Sequence, residues 1–234
     1  MRAFALALVA ALTASVGLTA VSQAAPAKRA VQRDWSRTVV ATPEGGFRMG
    51  NPAAKIRLVE YGSLTCNHCQ EFAVTGYKPL VFKYVRTGKV SYEFRNMVLN
   101  GFDVAASLVA RCSAGRAFFP IADQLYVTQP QWLGKVSALT AAQKAELGAL
   151  GEGARLTRMA QMTGAVAIAA RHGITPAQSR RCLTDPRALD VLGKMAEQAH
   201  ALGIHSTPTF VVNGAKVHAH NWAELEPLLG GNGG

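Results

Sequence analysis

The chain has 234 residues, 49% hydrophobic and 7% aromatic, with 25 basic side chains against 14 acidic ones and a net charge of +11. No long basic tract or nucleic-acid motif accompanies that charge, so it reads as a solvated surface that tunes solubility and encounter rates rather than as a nucleic-acid interface. Beyond the first two dozen residues no stretch has the eighteen or so unbroken apolar residues that a membrane helix needs.

Arg2 is followed by the apolar run Ala3 to Val21 and by the small-x-small site Ser22-Gln23-Ala24. This pattern predicts a secretory signal peptide over 1–24, cut after Ala24, rather than an uncut anchor. Residues 25–37 read as a mobile leader. Thr38 to Ala41 predicts a short strand ended by Thr42-Pro43-Glu44-Gly45-Gly46, and Met49-Gly50-Asn51-Pro52 a turn. Lys55 to Tyr61 is a strong strand by its β-branched and aromatic content. A helix is expected from Cys66 to about Arg86, kinked or interrupted by Pro79, then a strand over Val90 to Met97.

From Asp103 to about Leu202 the chain reads almost wholly helical. Segments are expected at Val104–Cys112, Phe118–Thr128, Leu139–Leu150 and Ala154–His172, then one opened by Thr175-Pro176 and one from Pro186. Thr209 to Val212, the turn Asn213-Gly214 and Ala215 to His218 form a hairpin. Asn221 caps a last helix through Leu229, and 230–234 fray. Half of a sheet precedes the helices and half follows them. This order predicts an α/β fold of the thioredoxin-like type, with its core over 38–102 and 203–229 and an α-helical domain inserted at 103–202.

Cys66-Asn67-His68-Cys69 sits where a strand hands over to a helix. A Cys-x-x-Cys at that junction is a redox motif. The unpaired N–H groups and positive dipole end of a first helical turn stabilise a thiolate and lower its pKa. Four cysteines in an exported chain imply an oxidising compartment. They allow three connectivities, and the helix-start placement of the close pair favours 66–69 with 112–182.

Glu60 lies six residues before Cys66, and Thr207-Pro208 opens the late strand. With the Cys-x-x-Cys, these features resemble the DsbA-like thiol-disulfide oxidoreductases of the bacterial envelope, most specifically in the stretches LVEYGSLTCNHC and HSTPTFVVNG. The resemblance covers nearly all of the chain after residue 24. It implies a periplasmic enzyme without cofactor, a monomer, that passes a Cys66–Cys69 disulfide to reduced, newly exported proteins and is reoxidised by a membrane partner of the DsbB type. Cys66 is then the nucleophile and Cys69 the resolving thiol. A His68 imidazole near Cys66 stabilises its thiolate. Favouring the reduced form raises the potential, ~30 mV per 1.4 kcal/mol for two electrons. Asn67 departs from the proline common at this position, which bears on redox strength rather than on the chemistry.

Glu60 is a candidate relay for the Cys69 proton if it is buried, or an ordinary strand-end carboxylate if it faces water. Pro208 resembles the family's cis-proline, which turns the Thr207 backbone toward the sulfurs so that an unfolded substrate pairs there as an added strand. His205 and Ser206 either line the same rim or form a simple loop. The resemblance also supports a Cys112–Cys182 bridge. Its loop of about 70 residues is worth roughly 4 kcal/mol. A structural role is the first reading, redox tuning the second and free thiols the third. His218 and His220 read as surface histidines rather than metal ligands, and His172 and His200 as structural or solvent-facing. Two other functions remain open: a disulfide isomerase or reductase, which usually adds a dimerisation segment for which residues 25–37 are short, and a copper-handling protein using Cys66, Cys69 and His68.

Overall fold

The computed structural model describes residues 33–115 and 117–230. The expected signal peptide, most of the leader and residues 231–234 lie outside the described residues. Six strands form one sheet in the order β1-β2-β4-β3-β5-β6. They are β1 (Val39–Ala41), β2 (Phe47–Gly50), β3 (Ile56–Gly62), β4 (Val90–Asn96), β5 (Thr209–Val212) and β6 (Ala215–Lys216). Only β3 and β4 pair in parallel. The crossover between them carries the helix that begins at the Cys66–Cys69 motif, as a parallel pair requires. β5 then returns antiparallel on the other side of β3, so β3 is central and most of its side chains are buried, with Arg57 exposed and Val59 half-buried.

β2 corrects the turn expected at Met49-Gly50-Asn51-Pro52. Met49 and Gly50 pair with Tyr92 and Ser91 of β4, and the turn begins after them. Two glycines nearby hid a strand whose register depends on a partner some 40 residues away. Gly50 ends it at φ +116°, where a Cβ would lie 2.9 Å from the Val90 carbonyl oxygen. The end of the leader is also anchored: Trp35 opens a short 3-10 turn capped by Asp34 and donates its N–H to the Arg86 carbonyl.

The helix after β3 starts as α1 (Asn67–Phe72) and continues through two π-helical stretches, Ala73–Tyr77 and Leu80–Val85. Pro79 does not interrupt it. The backbone at Lys78 and Pro79 stays helical, and the wider i→i+5 register absorbs the missing donor.

Eight helices separate β4 from β5: α2 (Gly101–Arg111), α3 (Phe118–Val127), α4 (Gln129–Ser137), α5 (Ala141–Ala149), α6 (Glu152–Met162), α7 (Ala165–Arg171), α8 (Pro176–Leu183) and α9 (Pro186–Ala201). The chain therefore has the expected thioredoxin-like fold with a helical insertion. The single helix expected over Ala154–His172 is two, because Gly164 at φ +73° breaks it between α6 and α7. Thr175 caps α8 in a full capping box. α10 (Trp222–Gly230) closes the fold, with Asn221 accepting from the Glu224 N–H at 3.1 Å.

Sheet and insertion share one core. The Phe118 ring of α3 packs on Phe47 and Phe94 at 4.9 and 5.4 Å, and Phe119 on Tyr92 at 5.6 Å. α2 is lined by Ala105, Ala106, Ser107, Val109 and Ala110, all buried. Small side chains let α6, α7 and α8 approach it closely. Cys112, the C-cap of α2, is bonded to Cys182 of α8 with the Cα atoms 5.7 Å apart. Among the described residues no helix is long and apolar enough to cross a membrane.

Candidate active site

Cys66 is the N-cap residue of α1. Its backbone is extended, and its sulfur takes the place of a capping oxygen, accepting from the Cys69 N–H at 3.3 Å. The protonated thiol donates to the Thr207 carbonyl oxygen at 3.2 Å, across 141 residues of sequence. The Thr207-Pro208 bond is cis. Both thiols are free here, where the sequence favoured a 66–69 bridge; the structure holds the dithiol form of the pair.

The two thiols differ sharply. Cys66 is drawn down to about 5, first by the Cys69 side-chain hydrogen bond, against the opposing cost of burial, then by the side chain (not the carbonyl) of Thr207 and the N–H groups of Cys69 and His68. Cys69 is fully enclosed and is pushed well up, by burial first and then by Cys66 and Glu60. The His68 ring does not share in this. It is 75% exposed and its Nδ1 faces Glu71 Oε2 at 3.7 Å, so the residue serves the sulfur through its backbone rather than through the imidazole.

Glu60 is not a strand-end carboxylate in water. It lies mid-β3 between Phe94 and Phe210 on the two flanking strands and is 1% exposed. Tyr92 donates to its Oε2 at 2.5 Å, while Oε1 has no protein partner. A cavity of about 20 Å³, room for one water, abuts it, with Tyr77, Tyr92 and Asp123 among the lining residues. Burial pushes this carboxyl up to about 8, partly opposed by the Tyr92 hydrogen bond. Glu60 is therefore mostly protonated at neutral pH.

Three residues that the sequence did not single out hold the turn entering Cys66, all from the insertion. Asp103 of α2 accepts from Ser63 Oγ at 2.5 Å and from the N–H groups of Leu64 and Leu99 at 3.0 and 2.9 Å. Tyr126 donates to the Ser63 carbonyl at 3.1 Å. Gln129 donates to the carbonyls of Leu64 and Cys66 at 2.9 and 3.1 Å. Asp103 follows the capping Asn100 and reads locally as an ordinary first-turn acid; nothing near it in sequence signals partners 40 residues upstream. Asp103→Ala leaves two N–H groups unpaired, at roughly 1–3 kcal/mol each when buried. Urea denaturation should show a loss of about 2–5 kcal/mol, and the Cys66 thiol should titrate higher as its turn loosens.

His218 and His220 are exposed beyond the end of β6. Among the described residues no cluster of three or more metal-ligating side chains occurs.

A dithiol at the start of a helix, facing a cis-proline at the entry to β5, is the arrangement of a candidate thiol redox site. A family profile described as thioredoxin matches residues 42–230, and the chain belongs to that family. The crystal structure of a protein-disulfide isomerase from Novosphingobium aromaticivorans superposes with a TM-score of 0.72 at 29% identity, over 79% of this chain and 95% of that one. Wolbachia pipientis alpha-DsbA1 shares the fold, with a TM-score of 0.62 at 21% identity over 78% and 87% of the two chains. A relative from Rickettsia bellii, provisionally named a protein-disulfide oxidoreductase, is 28% identical over 180 residues. Those residues are 76% of this chain and 61% of the relative's length.

Proposed function

We propose that the chain is a periplasmic thiol-disulfide oxidoreductase of the DsbA kind that donates a disulfide to reduced exported proteins. The opposed acidities of Cys66 and Cys69 carry this reading: one sulfur is a good leaving group, the other an enclosed resolver. The names of the Rickettsia and Novosphingobium relatives support the chemistry.

In the oxidised form a substrate thiolate attacks Cys66 Sγ. The Cys66–Cys69 bond breaks, a substrate–Cys66 mixed disulfide forms, and Cys69 leaves as a thiolate. Protonated Glu60 supplies the proton that Cys69 takes up. A second substrate thiolate then attacks the substrate sulfur and expels the Cys66 thiolate. Two substrate thiols are oxidised and the enzyme is reduced by two electrons. The backbone at Thr207 and Pro208 offers an edge on which an extended substrate pairs. A membrane partner of the DsbB type restores the disulfide, and the enzyme works as a monomer.

Equilibration with glutathione tests the direction of transfer. The 66–69 pair should lie on the oxidising side, toward about −120 mV, and a value near −270 mV would overturn the donor reading. The name of the Novosphingobium neighbour favours a second reading, an isomerase, with the same chemistry and a pair kept reduced.

The Cys112–Cys182 bond takes a structural role, fastening α2 to α8. The double variant Cys112→Ala/Cys182→Ala should lose roughly 4 kcal/mol in denaturation and keep the potential of the 66–69 pair. A shifted potential would assign the bond to tuning instead.

A further inference from the structure

His200, read from sequence as a residue without a partner, faces His205 across the end of α9. Their Nδ1 atoms are 3.1 Å apart and the ring centroids 5.3 Å apart. We propose that His200 and His205 form a binding site for a borderline divalent cation, of the zinc, nickel or copper(II) class, just before the Thr207-Pro208 bond in the chain. Imidazole nitrogens bind such ions at about 2.0–2.1 Å. Two of them 3.1 Å apart subtend an angle of about 100° at a shared ion, between the square-planar and tetrahedral values; with the centroids 5.3 Å apart the rings now face head-on, so each tilts about its own side-chain bonds to aim at the ion.

The backbone fixes this spacing in advance. Gly203, at φ +67°, ends α9 and donates its N–H to the His200 carbonyl at 2.9 Å, while Ile204 donates to that of Ala199 at 2.9 Å. Ile204 is buried with Ala199, Tyr61 and Met97. On the far side, the Ser206 carbonyl accepts from Thr209 Oγ1 at 2.7 Å and Pro208 is buried. The Cα atoms of both histidines are therefore held from either side, and the ordering left to binding is a tilt of the two exposed rings. Both rings are exposed, so an ion reaches them and water completes its shell. Lys216 Nζ lies on the Gly203 carbonyl at 3.3 Å, a nearby positive charge that moderates the affinity. The ion would bridge α9 to the segment that runs two residues on into Thr207, whose carbonyl meets Cys66.

Two facing nitrogens at this distance also fit one shared proton on Nδ1, and the test separates the two arrangements. The full chain is oxidised so that a closed 66–69 disulfide removes both thiols as ligands, and zinc is titrated in by calorimetry. One zinc per chain is expected. His200→Ala and His205→Ala should each weaken uptake at least tenfold, and the conservative His200→Gln and His205→Gln should do the same with unchanged circular dichroism. His218→Ala/His220→Ala should leave uptake as it was. In long-range nitrogen–proton spectra, saturating zinc should move the only remaining ring proton of both histidines to Nε2. No uptake at millimolar zinc, or uptake that persists in both single variants, or a proton retained on Nδ1 at saturation, would overturn the site. None of these readouts depends on disulfide exchange, so the site stands or falls apart from the proposed function.

Discussion

Cys66→Ser should reduce disulfide exchange to the rate of uncatalysed thiols, a loss on the order of a thousandfold or more. In the unaltered reduced chain, alkylation of Cys66 should titrate with a midpoint of about 5, against ~8.5 for a free cysteine. The sign follows from the geometry. The folded-state value lies below the ordinary one, so stabilisation of the dithiol form is full above about 9 and fades as pH falls through about 5. Cys69→Ala removes the largest single support of that thiolate and should raise the Cys66 midpoint. His68→Ala should move it less, because the ring points to Glu71 and the variant keeps the backbone N–H. An ordinary midpoint at Cys66 would remove the basis for a strongly oxidising pair.

Glu60→Gln should stabilise the fold at neutral pH and slow resolution of the mixed disulfide. The carboxyl is raised from 4.5 unfolded to about 8 folded. Below about 4.5 both states hold the proton and nothing is lost. Between the two values the folded chain holds a proton that the unfolded chain has released, so stability falls by about 1.4 kcal/mol per pH unit. Across the window this amounts to several kcal/mol. Glutamine keeps an acceptor for Tyr92 and cannot ionise, so the variant's stability should be nearly flat where the parent's declines. Denaturant midpoints taken from pH 4 to pH 9 check this. Parallel slopes in parent and variant would show that the Glu60 carboxyl is not raised by folding.

Some of this protein is written in short stretches of sequence. Cys66-x-x-Cys69 after a β-branched run, Thr175-Pro176 before a helix and Asn213-Gly214 between strands all act through backbone groups within a few residues. Each of these elements stands where the sequence places it. The order of sheet halves around a helical stretch likewise determines the thioredoxin-like fold with its insertion, since a strand pattern split by a hundred helical residues leaves few other solutions.

What the sequence leaves undecided depends on what stands opposite. Glu60 carries the same chemistry facing water or wedged between Phe94 and Phe210; only the pairing of β3 with both β4 and β5 encloses it. Asp103, Tyr126 and Gln129 meet the 63–66 turn because α2, α3 and α4 fold back onto it, a closure of 40 to 65 residues that no local signal encodes. β2 exists because β4 offers it a register. The His200–His205 pair exists because Gly203 turns the chain back on itself. Local chemistry marks Cys66 as the proposed reacting sulfur, and long-range packing set its acidity, the buried carboxyl proposed to relay its partner's proton and the rigidity of its perch.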